Sequence, residues 1–169
     1  MWIRLWSGMT SGGDKVQTTE LAKPDDVDKK ILRELQQDAR ISFKTIAQKI
    51  GVSEATIFVR VRKMQERGVI KSFSAIVDPM AIGKELTAIV LVRATPQSYP
   101  GTLDALKKID DIYEIYDVTG QYYSILKIRT SGTQGLGKIM DEVGKIDGIA
   151  GTETIVVLRT VKEDTAVKI

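Results

Sequence analysis

Three positions suited to begin a helix follow one another in the first half of the chain: Asp25 or Asp26, then Ser42, then Ser53. Aspartate and serine side chains accept hydrogen bonds from the free backbone amides of a helix's first turn. After each position, apolar residues recur every three or four places, which is the period of an amphipathic helix. A glycine ends the second run and another ends the third. The chain is therefore predicted to contain three short helices, with a tight turn between the second and the third.

The apolar stripe of each predicted helix identifies the side chains expected to share a core. These are Val27, Ile31, Leu32, Leu35, Ile46, Ala47, Ile50, Ile57, Val61 and Met64. Three short helices in this arrangement have the geometry of a helix-turn-helix domain. The alternating run from Val69 to Asp78, closed by Pro79, predicts a strand that would make the domain a winged one.

Basic residues are concentrated in this domain. Between Arg40 and Lys71, eight basic residues stand against two acidic ones, whereas from Pro79 onward eleven stand against twelve. The net charge of the whole chain is only +3, so the basic patch lies on a nearly neutral body. This distribution favours a polyanionic partner over non-specific association with many molecules.

The third predicted helix turns Thr56, Arg60 and Lys63 away from its apolar stripe. In a helix-turn-helix domain, residues near the start of that helix contact base edges, and basic residues contact phosphates. The side chains expected to contact DNA are Ser42, Lys44, Ser53, Thr56, Val59, Arg60, Arg62 and Lys63. The alternative is that this side of the helix is an ordinary solvated face. Capping alone would also explain Ser53. Val59, like Phe58, would either touch a thymine methyl group or pack within the domain.

The chain contains neither histidine nor cysteine. Their absence excludes the usual zinc sites, disulfides, and nucleophilic catalysis by Ser–His or Cys–His pairs. No apolar window approaches the roughly 18 residues that span a bilayer, and the opening MWIRLWSG lacks the features of a secretory signal. We therefore expect a cytoplasmic protein that is not an enzyme and has no cofactor, metal or membrane partner.

The remaining segments divide the chain further. Residues 1–24 have no useful period and are expected to form a flexible arm, either a remnant ahead of Met9 or an arm that packs on a partner subunit. Residues 79–85 are expected to be a linker. Residues 86–169 show the order strand, helix, strand, strand, helix, strand. The segments KKIDDI and GKIDGI form a short internal repeat, and each joins a helix to a strand. Two such halves predict a ferredoxin-like domain, so the whole chain is predicted to be α+β.

The run from Asp26 to Ile70, within the domain expected at residues 25–78, resembles the N-terminal module of the Lrp/AsnC, or feast/famine, transcription regulators. The matching elements are Asp25 with Asp28, Asp38-Ala39-Arg40, Gly51-Val52-Ser53, Arg60-Val61 and Gly68-Val69-Ile70. That family carries a ferredoxin-like ligand-binding and assembly domain in its C-terminal part, so the resemblance covers about residues 25–161.

The resemblance implies a sequence-specific regulator bound to double-stranded DNA, at least dimeric and forming an octamer or another higher assembly. It also implies a small amino-acid effector held between dimers by Thr119, Gly120, Gln121, Tyr122, Tyr123, Thr152 and Thr154. The family often has Gly-Asp-Tyr-Asp at the hairpin turn, whereas this chain has Gly-Gln-Tyr-Tyr, which lacks both carboxylates that would hold an ammonium group.

Other interpretations stay open. The apolar strand predicted at the start of the C-terminal domain is either a central strand or part of a dimer interface. The protein is alternatively an architectural, DNA-compacting protein without an effector. A siroheme-decarboxylase-like enzyme has the same two-domain organisation, but such enzymes are thought to rely on histidine, which this chain lacks.

Overall fold

A computed structural model of the chain describes residues 23–169, which form two compact units. Within the described residues, the first unit comprises 23–74 together with 166–169, and the second comprises 75–165. Almost all of the flexible arm predicted at residues 1–24 lies outside the described residues.

The first unit contains the three predicted helices, which are α1 (Asp26–Gln37), α2 (Phe43–Ile50) and α3 (Glu54–Glu66). Asp25 caps α1 in a reciprocal box, because its carboxylate accepts from the Asp28 amide at 2.8 Å and the Asp28 carboxylate accepts from the Asp25 amide at 3.2 Å. Gly51 ends α2 with a φ of 81°, in the left-handed region that glycine adopts without strain. The predicted helix boundaries are confirmed to within a residue or two.

The core of the first unit is the predicted apolar stripe. Its buried members are Ile31, Leu35, Ile46, Ala47, Ile57, Val61 and Met64. Val27, Leu32 and Ile50 are half-buried against that core. All three helices contribute, so none of them is held by its own hydrogen bonds alone.

The strand predicted from Val69 to Asp78 is wrong, because the described chain is irregular there. A strand needs a neighbour to accept its backbone hydrogen bonds, and the one described sheet is formed by other segments. The amides of Val69 and Ile70 instead bond back to the carbonyl oxygen of Met64 at 2.8 and 3.1 Å, which finishes the turn after α3. The three-helix domain therefore has no wing in the described chain.

The second unit has the predicted βαββαβ order. A single 3-10 turn, Met80–Ile82, occupies the expected linker, and the strands and helices that follow are β1 (Leu86–Ala94), α4 (Tyr99–Leu106), β2 (Ile112–Asp117), β3 (Ser124–Thr130), α5 (Thr133–Gly144) and β4 (Ile149–Val156). The strands form one antiparallel sheet in the order β2-β3-β1-β4. This is the ferredoxin-like topology that the sequence predicted.

One face of this sheet carries the core of the second unit. Its buried side chains, together with those of α4 and α5, are Ala88, Val90, Val92, Leu106, Leu126, Ile128, Leu136, Ile139 and Val143. Alternate residues point to the other side of the sheet, which we call the open face and which carries Ile89, Leu91, Tyr116, Ile125 and Ile155. Of these, Tyr116 and Ile155 are 53% and 47% exposed.

Candidate functional site

The outer side of α3 is exposed over most of its length. Ile57, Val61 and Met64 fix the helix to the core, as predicted. On the opposite side, Val59 is 47% exposed and Lys63 is also exposed. A helix held by one apolar stripe can present its other side to the major groove of DNA.

Arg60 lines the same side of α3 as Lys63, but its guanidinium group has partners within the protein. Its Nη1 donates hydrogen bonds to a carboxylate oxygen of Asp25 at 2.7 Å and of Asp28 at 2.8 Å. Its side chain is 31% exposed and that of Asp28 only 13%. Arg60 therefore lies on the predicted side of α3, but two carboxylates at the start of α1 hold its guanidinium group.

This ion pair changes the acid–base properties of its members. The Asp25 and Asp28 carboxylates hold the pKa of Arg60 above its usual value. The pKa of Asp25 is lowered, first by the hydrogen bond from the Asp28 amide and then by the one from Arg60. Both shifts favour the charged forms, so α1 and α3 are joined by an ion pair that persists at neutral pH.

The other basic side chains of this region are less constrained. Arg62 Nε lies 2.9 Å from Glu66 Oε1 on the same helix, and both side chains are more than half exposed, so this pair adds little stability. Lys44, Lys63 and Arg67 make no ion pair within residues 23–169. These three cations can therefore meet phosphates without first breaking an internal contact.

The three hydroxyl groups predicted to contact DNA have local partners. Ser42 Oγ accepts from the Thr45 amide, and Ser53 Oγ accepts from the Thr56 amide, each at 3.1 Å. The hydroxyl of Thr56 lies 2.8 Å from that of Ser53. Capping therefore accounts for both serines, and Thr56 contributes to the cap of its own helix.

Phe58 and Val59, whose role the sequence left open, differ in their surroundings. The ring of Phe58 packs edge-on against Phe43, the first residue of α2, with centroids 6.4 Å apart and planes at 63°. Phe58 nevertheless stays 54% exposed. Its exposed edge and the exposed Val59 give the outer side of α3 an apolar character beside its cations.

A surface groove runs between the start of α1 and the outer side of α3. Its charged lining consists of Asp25, Asp28, Lys23, Arg60, Lys63 and Arg67. Arg60 neutralises part of the charge of the two carboxylates. The charge left over near α3 is therefore positive, which suits a polyanion.

The predicted effector residues lie partly in the turn between β2 and β3. Gly120 has a φ of 121°, which side chains rarely permit, so the turn requires glycine here as predicted. Thr119 and Gln121 are exposed, whereas Tyr122 and Tyr123 are half-buried. The amide of Val118 donates to the carbonyl oxygen of Tyr123 at 3.0 Å and closes the turn.

Tyr122 reaches across to β4, where its hydroxyl donates to the carboxylate of Glu153. This hydrogen bond is the main reason why the pKa of Tyr122 is raised. A Cβ atom on Gly151 would lie 3.3 Å from Nη2 of Arg93, so the Arg93 side chain passes over Gly151, two residues before Glu153. Arg93, Tyr122 and Glu153 therefore form a polar cluster, which we call the Arg93–Glu153 cluster.

Sequence reasoning included Tyr122 but missed Arg93 and Glu153. The turn lacks the family's acidic residues, yet Glu153 on β4 supplies a carboxylate that reaches Tyr122. The signal was the side-chain alternation of β4, because Gly151 and Glu153 point to the same side. Only the pairing of β4 with β1, which places Gly151 opposite Arg93, shows that Arg93 lies on the same face of the sheet as Glu153.

Thr152 and Thr154 are not brought together with that cluster. They pair with Val92 and Val90 of β1, whose side chains point into the core, so the threonines share the helix-covered face. Thr154 Oγ1 accordingly lies 3.7 Å from the sulfur of Met140 on α5. Their grouping with the turn residues in one site is therefore not supported by the sheet geometry.

Tyr99 of α4 contacts both ends of the turn between β2 and β3, which we call the effector turn because the sequence predicts effector residues there. Its hydroxyl lies 2.9 Å from Asp117 Oδ1 and 2.8 Å from the carbonyl oxygen of Tyr123, and its ring packs 4.9 Å from the Tyr123 ring. Burial, followed by the hydrogen bond to Asp117, raises the pKa of Tyr99 to about 12. The phenol therefore stays neutral and keeps its hydrogen bond at all ordinary pH values.

Residues 23–169 contain neither a cluster of metal-binding side chains nor a membrane-spanning helix. No group of three or more acidic side chains lies close enough together to hold a metal ion. No helix in the same range is both long and apolar enough to cross a membrane.

Comparisons with known proteins agree with both units. The sequence model of the AsnC-type helix-turn-helix domain matches residues 25–65, and that of the Lrp/AsnC ligand binding domain matches residues 87–167. The HTH-type transcriptional regulator FL11 of Pyrococcus horikoshii is 41% identical over 86% of this chain and 96% of its own. The HTH-type transcriptional regulator Ptr1 of Methanocaldococcus jannaschii is 35% identical over 86% and 99%.

Solved structures show the same likeness. AsnC of E. coli superposes with a TM-score of 0.80 at 30% identity and covers 84% of this chain and 97% of its own. The feast or famine regulatory protein of M. tuberculosis, solved in complex with L-methionine, has a TM-score of 0.79 at 27% identity and covers 85% and 98%.

Proposed function

Because the chain belongs to the Lrp/AsnC family of transcriptional regulators, we propose that it controls transcription as a homodimer or higher assembly on paired DNA half-sites, tuned by a small amino acid. Its relatives are DNA-binding regulators with a C-terminal ligand-binding domain and not enzymes, so no catalytic role is proposed. We place it in the cytoplasm, where a regulator of this kind meets its DNA.

The observation that carries the DNA-binding proposal is the outer side of α3, where exposed Val59 lies beside cations that make no ion pair within residues 23–169. Val59, which is 47% exposed, is proposed to contact a thymine methyl group. Lys63, Arg67 and Lys44 supply the phosphate contacts, and Arg62 joins them once its exposed pair with Glu66 opens. Arg60 acts indirectly, by fixing α3 to α1.

Replacing Lys63 with alanine tests this assignment. Removal of one phosphate contact should weaken binding to every DNA sequence to a similar degree and reduce the slope of log affinity against log salt by about 1. Fluorescence anisotropy with a labelled duplex at several salt concentrations measures both quantities. Lys108→Ala, which removes an exposed lysine of the second unit, is the matched control. Equal salt slopes for the two variants would contradict the assignment.

The effector proposal rests on the Arg93–Glu153 cluster. A free amino acid carries one ammonium and one carboxylate group, and both need charged or hydrogen-bonding partners when they leave water. Glu153 offers a carboxylate to the ammonium group, and Arg93 offers a guanidinium group to the carboxylate. We propose that this pair takes the place of the acidic residues that the turn lacks.

Calorimetric titration of the common amino acids tests the effector proposal. Glu153→Gln should weaken binding of the responding amino acid roughly tenfold or more, because it removes the negative charge that strengthens the hydrogen bond with the ammonium group. The control is Glu142→Gln, which neutralises an exposed glutamate of α5. If no amino acid gives heat with the wild-type protein, the effector proposal fails and the DNA-binding proposal is untouched.

The dimer proposal rests on the open face of the sheet. Exposed Tyr116 and Ile155 lie there beside half-buried Ile89, Leu91 and Ile125. A contiguous apolar area of this kind commonly marks a protein–protein interface. A second copy packed on it would also present two α3 helices, as paired half-sites require.

A further inference from the structure

The last residues of the chain belong to the first unit, which contains the three helices proposed to bind DNA. After β4 the chain continues for thirteen residues, and its end, Ala166–Ile169, clusters with the first unit. Glu163 pairs with Lys127 and Arg129 of β3 within the second unit. Beyond it, the final residues make a separate set of contacts with α1, which we call the α1–tail contact.

The α1–tail contact is made to the peptide backbone of the tail. The side-chain amide of Gln36 donates to the carbonyl oxygen of Val167 at 3.1 Å, and its oxygen accepts from the Val167 amide at 2.8 Å. One residue of a neighbouring strand would exchange the same two hydrogen bonds. The glutamine side chain thus imitates a strand neighbour, and the Val167 side chain, which is 70% exposed, is not what it recognises.

A third hydrogen bond fixes the register of the tail. Arg33 Nε donates to the backbone oxygen of Ile169 at 3.0 Å. Arg33 and Gln36 are three residues apart and therefore share one face of α1. Val167 and Ile169 are two residues apart, the spacing at which an extended chain repeats. The helix face and the tail are therefore matched at two points.

The exposure of the tail residues is consistent with this contact. Every residue from Leu158 to Lys168 is exposed, whereas Ile169 is half-buried. Glu34, which lies between Arg33 and Gln36 in α1, forms an ion pair with Lys49 of α2. Arg33 and Gln36 make their side-chain hydrogen bonds, among the described residues, only to the tail.

We propose that Arg33 and Gln36 form a peptide-docking site on α1, and that its ligand is the extended segment Ala166–Ile169 of the same chain. The site takes a backbone amide and carbonyl group at one residue, a second backbone oxygen two residues later, and an aliphatic side chain. The docked segment Ala166–Ile169 is thereby held on the first unit by three hydrogen bonds to α1.

Amide hydrogen exchange of the whole 169-residue protein tests this proposal. The Val167 amide should exchange about tenfold faster in Gln36→Ala than in the wild type, because the hydrogen bond that protects it is lost. Gln37→Ala, one residue further along α1, is the matched control and should leave the exchange of Val167 unchanged. Unchanged exchange of the Ile31 amide in both variants shows that α1 is intact. Equal exchange of Val167 in wild type and Gln36→Ala would overturn the proposal.

A second measurement identifies the source of the tail. A site filled by the same chain protects Val167 equally at all protein concentrations, whereas protection by a second copy falls on dilution. The exchange experiment is therefore run at two concentrations a hundredfold apart, with about the same protection expected at both. Protection that is lost at the lower concentration would mean that another copy supplies the tail, and it would overturn the proposal as stated.

Discussion

Replacing Arg60 with methionine separates two roles for this residue, contact with DNA and attachment of α1 to α3. Methionine keeps the unbranched aliphatic part of the side chain and removes the guanidinium group. In the wild-type protein that group is 2.7 Å from Asp25 and 2.8 Å from Asp28. After the substitution, the Asp28 side chain, which is only 13% exposed, keeps the hydrogen bond from the Asp25 amide and loses its counter-ion.

The size of the effect follows from this geometry. A hydrogen bond to a charged group contributes about 1.5–3 kcal/mol when it is well shielded, and an exposed ion pair contributes about 0–1 kcal/mol. Arg60 is 31% exposed and Asp28 is 13% exposed, so the pair lies between these limits. We expect Arg60→Met to lower the free energy of unfolding of the first unit by about 1–2 kcal/mol.

Urea denaturation provides the assay, with native-state hydrogen exchange of the Ile31 and Ile57 amides reporting on the first unit alone. Arg62→Met is the matched control, since Arg62 lies on the same helix in a pair whose members are 70% and 58% exposed. That control should change stability by less than about 0.5 kcal/mol. Equal loss in the two variants, or a strong loss of DNA affinity in Arg60→Met without any loss of stability, would refute the structural role of Arg60.

The same variant should change the acid limb of the stability curve. The pKa of Asp25 is lowered in the folded state, so its carboxylate stabilises the fold above its ordinary pKa near 3.8, and this contribution is lost as pH falls through the lowered value. The second cause of that shift is the hydrogen bond from Arg60. Arg60→Met should therefore make the stability of the first unit less dependent on pH in this acidic range.

Three further predictions concern the cap of α3, the effector turn and the open face. Ser53→Ala should cost about 1 kcal/mol of stability, measured by urea denaturation, because the Thr56 amide loses its acceptor. The pKa of Tyr99 is raised from 10.0 to about 12, so the stability it contributes should be lost as pH rises from 10.0 toward 12, and Tyr99→Phe should remove that dependence in alkaline denaturation. Ile155→Glu should shift the assembly toward monomer in sedimentation, because it places a charge on the open face; an unchanged sedimentation coefficient would exclude that face as the interface.

The features that the sequence predicted correctly are those determined by residues close together in the chain. Each helix of the first unit begins beside its Asp or Ser cap, and the buried residues are those of the apolar stripe. The βαββαβ order also follows from local periodicity and from the turns between segments. In these cases the residues that determine the structure are neighbours in the chain, so no knowledge of tertiary contacts is needed.

The predictions that failed depend on partners distant in sequence. The run from Val69 to Asp78 has the alternation of a strand, but alternation specifies only which side chains share a face and does not provide a neighbouring strand. The position of Thr152 and Thr154 relative to the effector turn also depends on a distant partner, since the register of β4 on β1 turns them to the helix-covered face. Glu153, between them, points to the other face and reaches Tyr122.

Arg60 shows why charge on a helix face is an incomplete guide to a DNA contact. Counting basic residues along α3 treats Arg60, Arg62, Lys63 and Arg67 as equivalent, and a helical projection places Arg60 beside Lys63. The structure separates them by their partners, because the capping box that begins α1 holds Arg60 as well. The carboxylates that start one helix therefore also fix the orientation of the next-but-one helix. A cation held in this way keeps α3 in place while Lys63 and Arg67, which make no ion pair in the described chain, remain available to phosphate.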